Sequence, residues 1–430
     1  MNIAGINNLQ SKAAYLRTLP AIRERCEQVY ELARQGKLQY FNYHQEKEAD
    51  VAEFCIELMK RDYGTDFSSI KPHGRWRHLD AGVDRVLPVA AKFHRGPNPA
   101  DPMEGVRRII DLFVVSVLLD AGAGNQWVFH EHSSGMKFSR SEGLGVASIH
   151  MFQQGFFSSD SQQPYKVDAA GLATITVEKT AAAFQVTDSN PMVGLEGRTA
   201  LLTNLSKALK GNPQLFGDEG RPGNIVDFLE RESRMDGTQR VVPLAAIWHC
   251  LIEGLNPIWP SRVELGGVSL GDVWPCSVLQ SDSTRAGDDL VPFHKLTMWI
   301  TYSLIEVFQR VANWRVDGLE DLTGLPEYRN GGLLIDHGVL TLKPDVLPID
   351  PVSGLPSVLP SHPAIVEWLS RASDRIAHAI REKLSLTPEQ LTLAQVLEGA
   401  TWKGGREIAK KRRPETGGPP IEIVSDGTVF

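Results

Sequence analysis

Cysteine is scarce and scattered in this 430-residue chain. Cys26, Cys55, Cys250 and Cys276 form no CxxC pair, so neither a zinc knuckle nor a disulfide framework is indicated. Cys26 and Cys55 fall on helix-like segments and read as small core hydrophobes. Long apolar runs are missing too: the longest lies around 112–119, far short of a membrane span. The first residues lack the basic-then-apolar order of a signal peptide, so the expected setting is the reducing cytoplasm, without membrane attachment. Positive charge is not in excess. A net charge of −7 and a pI near 6.0 argue against charge-driven nucleic-acid binding. The one basic run, 403–413 with KKRR at 410–413, reads as a solvated helix end.

Catalytic signatures are equally sparse. There is no GxSxG elbow and no HExxH pair, so neither a serine hydrolase of that class nor a zincin is expected. No coenzyme fingerprint points to nicotinamide or flavin, and no cofactor is expected. His130 and His132 flank Glu131, with His150 further on; such a pair can clamp a metal, but the reading here is a polar loop, and no metal is expected.

What the chain does have is ample core and helical periodicity. Hydrophobic content of 42% and charged content of 23% are those of a soluble globular protein. Helical signals fill 9–63, 103–121, 139–157, 197–210, 225–233, 242–254, 363–384 and 387–400, and a helix is the better reading of 174–187. A small hairpin fits within 259–275, two short strands about Asp336-His337-Gly338 fit 333–342, and a strand and turn fit 421–430. A proline-rich crossing occupies 343–362. The expectation is a mainly α fold: one large helical domain over 1–430 with a few short β-hairpins.

Residues 287–314 organise this plan as a long amphipathic helix. Phe293, Leu296, Ile300, Leu304, Val307 and Val311 recur at spacings of three and four. Asp288 and Asp289 are candidate N-caps, and Pro292 is tolerable in a first turn. His294 and Lys295 leave the stripe, with Trp299 four residues beyond Lys295, so the helix offers a base, a cation and an aromatic to a polar pocket.

Three further segments carry candidate chemistry. PHGRWRHLDAG at 72–82 gathers Arg75, Arg77 and His78 around Trp76; arginines grip phosphate or carboxylate, and tryptophan offers a stacking face. FGDEGRPGN at 216–224 has glycines, Arg221 and a following helix start, a phosphate-cradling pattern that an internal Asp218–Arg221 pair would also explain. LTGLPEYRNGG at 322–332 reads as a loop with Glu327 and Arg329, and Asp336 follows. A carboxylate is what glycosyl chemistry requires at an oxocarbenium-like carbon, while a second group handles the leaving-group proton. Asp289, Lys295 or His294 could be that second group.

These segments, with NPMVGLEGRTALLTNLSKAL, DDLVPFHKLTMWITYSL and the closing SDGTVF, resemble the uracil catabolism protein 4 family, also called the uracil-regulated gene 3 family or domain of unknown function 1688. The resemblance covers nearly the whole chain in order. It implies a place in a pathway where uracil becomes its nucleotide, a relative of GTP cyclohydrolase II opens the ring, and urea is finally released. The chain is also similar, more distantly, to queuosine nucleoside glycosidases, helical proteins akin to helix-hairpin-helix DNA glycosylases. That likeness implies a DNA-glycosylase-like fold with Glu327 in the place of an aspartate and Lys295 as the helix lysine. Glutamate lengthens the arm by one methylene, and NGG replaces that family's VPQ.

The resulting expectation is a metal-free N-glycosidase-like hydrolase that frees urea or an acylated urea from ribosylurea or its 5′-phosphate. Glu327 would stabilise or attack the sugar carbon, and Asp289, His294 or Lys295 would move the proton or orient water. Arg75, Arg77 and Arg221 would hold a phosphate, and Trp76, His78, Trp299, Arg329 and Asp336 would complete substrate binding. The expected partner is a small ribosyl or nucleotide-derived substrate, with contact to other enzymes of uracil breakdown. An amidohydrolase-type step on the ring-opened nucleotide and a non-catalytic channelling role are the alternatives.

Overall fold

The computed structural model describes residues 3–94, 101–124, 126–259, 262–281, 284–370 and 374–424. At its centre runs the helix Lys295–Arg310, in which every side chain from Thr297 to Phe308 is buried. Its hydroxyls tolerate this because Thr301 Oγ1 and Ser303 Oγ donate to the helix's own carbonyls at Thr297 and Trp299, each at 2.8 Å. It packs on Glu104–Leu118, whose side chains are nearly all buried, and on Leu244–Gly254.

The central helix starts later than its periodicity suggests. Leu290–Pro292 is a strand antiparallel to Val273–Pro275, so Pro292 sits in a ladder rather than a first helical turn. His294 then adopts the left-handed conformation (φ 44°), and the Asp272 carboxylate accepts the Lys295 N–H at 2.7 Å. The cap therefore comes from a distant loop. Asp288 instead pairs with Lys12, and Asp289 accepts a hydrogen bond from Gln280 Nε2 at 2.8 Å.

The fold is mainly α. Its strands are short and mostly paired in twos, and a three-stranded sheet joins Arg315–Asp317, Gln239–Pro243 and Arg234–Asp236. The small hairpin within 259–275 is present, as is a helix at Val177–Ala183. Two segments differ from expectation. Tyr328–Asp336 is a helix, and only Leu340–Leu342 is extended, paired with Phe41–Tyr43. Asn-Gly-Gly, a turn signal on its own, is held helical because Glu327 caps the start and the glycines lie against neighbours. A Cβ at Gly331 would stand 2.6 Å from Leu369 and one at Gly332 3.0 Å from Pro420. Near the C-terminus the helical run begins only at Leu393, with a capping box between Thr392 and Gln395. It passes through a π turn at Leu397–Thr401 into Trp402–Arg412. The basic run thus rides on a helix whose other face is packed. Glu422–Ile423 pairs in parallel with Ser357–Val358, tying the proline-rich crossing to the tail, while SDGTVF lies outside the described residues.

Three apolar cores meet around one short segment. Leu325 belongs to the large core of the central helix, Tyr328 packs on a second core around Trp368, and Leu333 and Leu334 belong to a third with Glu48–Tyr63 and Asp374–Leu384. Glu327 sits at that junction. Among the described residues no helix is long and apolar enough to cross a membrane.

A polar cleft at the junction of three cores

Glu327 is buried (5% exposed) and caps the helix Tyr328–Asp336. Its Oε2 accepts the Arg329 N–H at 2.8 Å and its Oε1 the Asn330 N–H at 2.6 Å. Burial pushes its pKa up, while the two backbone N–H groups and the charges of Lys295 and Arg329 pull it back. Each carboxylate oxygen keeps a further lone pair for a ligand. Lys295, at the start of the central helix, is close enough to Glu327 to act on its charge and is only part-buried. A cation therefore acts on a carboxylate held at a helix N-terminus, where the backbone dipole also favours negative charge.

One turn beyond Lys295, Trp299 forms part of a buried polar floor. The Arg75 guanidinium lies 5.7 Å from the Trp299 ring centroid, and the His78 ring lies 5.9 Å away, edge-on. Arg75 is held by Ser116 Oγ at 2.7 Å, Asp120 at 2.9 Å and, through its backbone N–H, Ser303 Oγ at 3.0 Å. Gly74 lets this turn lie on the central helix, since a Cβ there would stand 2.3 Å from Glu306 Oε1. Arg75 Nη2, both ring nitrogens of His78 and Trp299 Nε1 are buried without a hydrogen-bond partner among the described residues. Orphaned buried polar atoms are rare in folded proteins, and four of them belong to this cluster of Arg75, His78 and Trp299. Burial, reinforced by the charges of Arg77, Arg75, His73 and Arg406, drives the His78 pKa far down, so this imidazole is neutral at pH 7.

A cleft of ≈ 480 Å³ opens between the Tyr328–Asp336 and Trp402–Arg412 helices. Arg77, Arg329, Arg406, Glu398 and Trp402 are among its lining residues. Glu398, on the π turn, hydrogen-bonds with His73 Nδ1 at 2.8 Å and forms an ion pair with Arg77, whose Nε stands 2.6 Å away, and these partners hold its pKa down despite burial. The guanidiniums of Arg77 and Arg406 lie 4.9 and 4.8 Å from the Trp402 ring centroid. Periodicity gave no reason to link Glu398, Trp402 or Arg406 to the Glu327 segment, and the basic run around 403–413 was the only available signal.

Other candidates are placed elsewhere. Trp76 is 2% exposed, with Phe113 against it and the Arg310 guanidinium 3.7 Å from its centroid, so it offers no free stacking face. Arg221 is buried between Asp111 (2.7 Å) and Glu104 (2.9 Å), far from a cradle geometry, and Asp111 also takes the Gly223 N–H. His294 bonds the Leu16 carbonyl at 2.9 Å and packs on Trp248, and burial lowers its pKa. Asp289 is engaged by Gln280, and Asp336 pairs with Arg413 at 2.8 Å. His130 and His132 are exposed on the hairpin Val128–Glu131/Met136–Ser139, while Glu131 between them points inward to Arg85 and His150. No group of three metal-ligating side chains occurs among the described residues.

The fold and the cleft together define a mainly helical protein with a polar, cation-rich cleft between two of its helices. Residues 15–430 match the family described as protein of unknown function (DUF1688), and the chain belongs to that family. It is 41% identical to uracil catabolism protein 4 of Lachancea kluyveri, over 98% of this chain and all of that one. It is 40% identical to protein urg3 of Schizosaccharomyces pombe (strain 972 / ATCC 24843), over 97% of this chain and 98% of that one.

Proposed function

We propose that the protein acts in uracil catabolism as an N-glycosidase, cleaving the bond between ribose C1′ and the ureido nitrogen of a ring-opened uracil derivative. The observation that carries this reading is a buried carboxylate, Glu327, fixed at a helix N-terminus within the field of the Lys295 cation and two residues before Arg329, which lines the polar cleft. The name of the Lachancea kluyveri relative supplies the metabolic setting. As the C1′–N bond breaks, positive charge grows on the sugar carbon, and Glu327 stabilises it or bonds to it. Water then forms the C1′–O bond, and one of its protons ends on the departing nitrogen. Urea nitrogen leaves poorly unless protonated, so a group must deliver that proton; Lys295, whose charge acts on Glu327, would do so or orient the water. Asp289 and His294, engaged elsewhere, have no part.

One observation favours a second reading. Both oxygens of Glu327 already accept backbone N–H groups, as in a purely structural cap, which fits a protein that binds and channels the intermediate. The two readings separate in one assay. The ring-opened product is made from uridine monophosphate with the pathway's ring-opening enzyme, this protein is added, and urea and the ribose species are measured together. Equal amounts of both establish glycosidic cleavage. An altered intermediate with no ribose product indicates an amidohydrolase step, and an unaltered one indicates binding.

A further inference from the structure

The cleft carries more positive charge than its own carboxylates offset. Its lining includes the cations Arg77, Arg140, Arg329, Lys403, Arg406 and Lys410, against Glu398, Glu407 and Glu415. Several of these are already committed: Arg77 to Glu398 at 2.6 Å, Lys403 to Asp62, and Glu407 to Arg61 at 2.6 Å. Arg329 and Arg406 stand apart. Arg329 has no carboxylate partner among the described residues, and its Nη1 donates to the Gly417 carbonyl at 2.7 Å. The nearest carboxylate to Arg406 is Glu142, at 3.7 Å, and Glu142 is shared with Arg77 at 3.8 Å.

The helices bring these two residues to one cleft. Gly405 packs directly on the Arg329 backbone, so that Arg406 follows Arg329 across the helix crossing. Burial pushes the Arg406 pKa down, and the charges of Arg329, Arg140 and Arg77 add to this against the opposing pull of Glu142. Assembling like charges in a part-desolvated cleft is unfavourable unless an anion joins them. Guanidiniums packed on a tryptophan, as Arg406 is on Trp402, keep their N–H edges free for planar, two-point contact with oxygens.

We propose that Arg329 and Arg406 form a phosphate subsite, and that the substrate is taken as a phosphomonoester, not as the free riboside. The proposal rests on the glycosidase reading for what lies at the other end of the ligand. A phosphate monoester brings nearly two negative charges and three acceptor oxygens, which suits a guanidinium with no carboxylate partner among the described residues and another whose shared carboxylate stands at 3.7 Å better than a single carboxylate does. Arg329 is two residues past Glu327 and acts on its charge, so one helix start reaches both the anion and the sugar carbon. The volume of ≈ 480 Å³ suits a ligand of nucleoside-monophosphate size.

The test is calorimetric titration of the full-length protein with ribose 5-phosphate, ribose and inorganic phosphate, which needs no turnover. Ribose 5-phosphate should bind, inorganic phosphate should compete, and ribose should bind at least about tenfold more weakly. Arg406→Gln should weaken ribose 5-phosphate binding by about ten- to a hundredfold, the loss of one charge-assisted contact. Thermal unfolding of the variant, and the same titration with Arg406→Lys, guard against a folding defect; the lysine should restore part of the affinity. Equal binding of ribose and its phosphate, or an unchanged affinity in folded Arg406→Gln, overturns the subsite. Because binding is read directly, phosphate binding without urea release would sink the glycosidase reading and leave the subsite standing.

Discussion

A Cβ on Gly405 would lie 2.1 Å from the Arg329 carbonyl oxygen, closer than any real contact, so the Tyr328–Asp336 and Trp402–Arg412 helices touch backbone to backbone. That contact brings the segment of Glu327 and Arg329 to the segment of Trp402 and Arg406. Glycine is required here for closeness, not for φ, since Gly405 is helical.

Gly405→Ala should therefore push the helices apart. The expected cost is about 1–3 kcal/mol, typical of an inserted methyl in a tight interior, seen as a lower Tm. Turnover should fall with it, because Arg329 and Arg406 separate. Gly211→Ala is the control: nothing lies within 4 Å of its Cβ, so stability should hold or rise slightly. A Gly405→Ala protein with normal Tm and activity would show that the crossing is not under tension.

The charge state of Glu327 gives a second prediction. Burial raises its pKa and Lys295 lowers it, so the ionised form that the glycosidase reading requires is lost on acidification above the ordinary carboxylate value of 4.5. The acid limb of kcat/KM should lie above that value. Lys295→Met removes a charge that favours ionisation, and the limb should move to still higher pH along with a drop in rate. Glu327→Gln should lose activity by about a thousandfold or more, in the range of a lost electrostatic stabiliser, while costing about 2 kcal/mol or less as an altered helix cap. An acid limb that Lys295→Met leaves in place would disconnect the two residues.

Much of the fold is legible in the chain because helical periodicity is local. Glu104–Leu118 and Leu195–Gly211 come out close to their apolar repeats. The failures are cases where distant partners decide. FGDEGRPGN is an anion cradle or an ion-paired turn according to what faces Arg221, and the deciding carboxylates, Asp111 and Glu104, lie 110 and 117 residues earlier. The central helix begins at Lys295 rather than near 287 because Asp272 caps it from another loop and 290–292 finds a strand partner. The half of the cleft built by Glu398, Trp402 and Arg406 carries no motif at all. Its place depends on Gly405, whose role appears only once two helices cross.

Glu306 supplies the last prediction. It is buried on the central helix, its Oε1 has no hydrogen-bond partner, and Arg310 reaches Oε2 at only 3.4 Å. Burial outweighs that arginine and raises its pKa from 4.5 to about 8, so the carboxyl is mostly protonated at pH 7. The folded value lies above the unfolded one, so between them the native state holds a proton that the unfolded chain releases. Stability from this group is complete below pH 4.5, declines as pH rises toward about 8, and is lost beyond it. Glu306→Gln keeps the shape and cannot ionise. At about pH 5 wild type and variant should melt together; at about pH 9 the variant should be more stable, on the order of a few kcal/mol. Thermal unfolding at the two pH values reads this directly, and melting curves that stay parallel would mean that Glu306 is ionised in the fold, paired with Arg310, and that the turn at Gly74 rests on a charge.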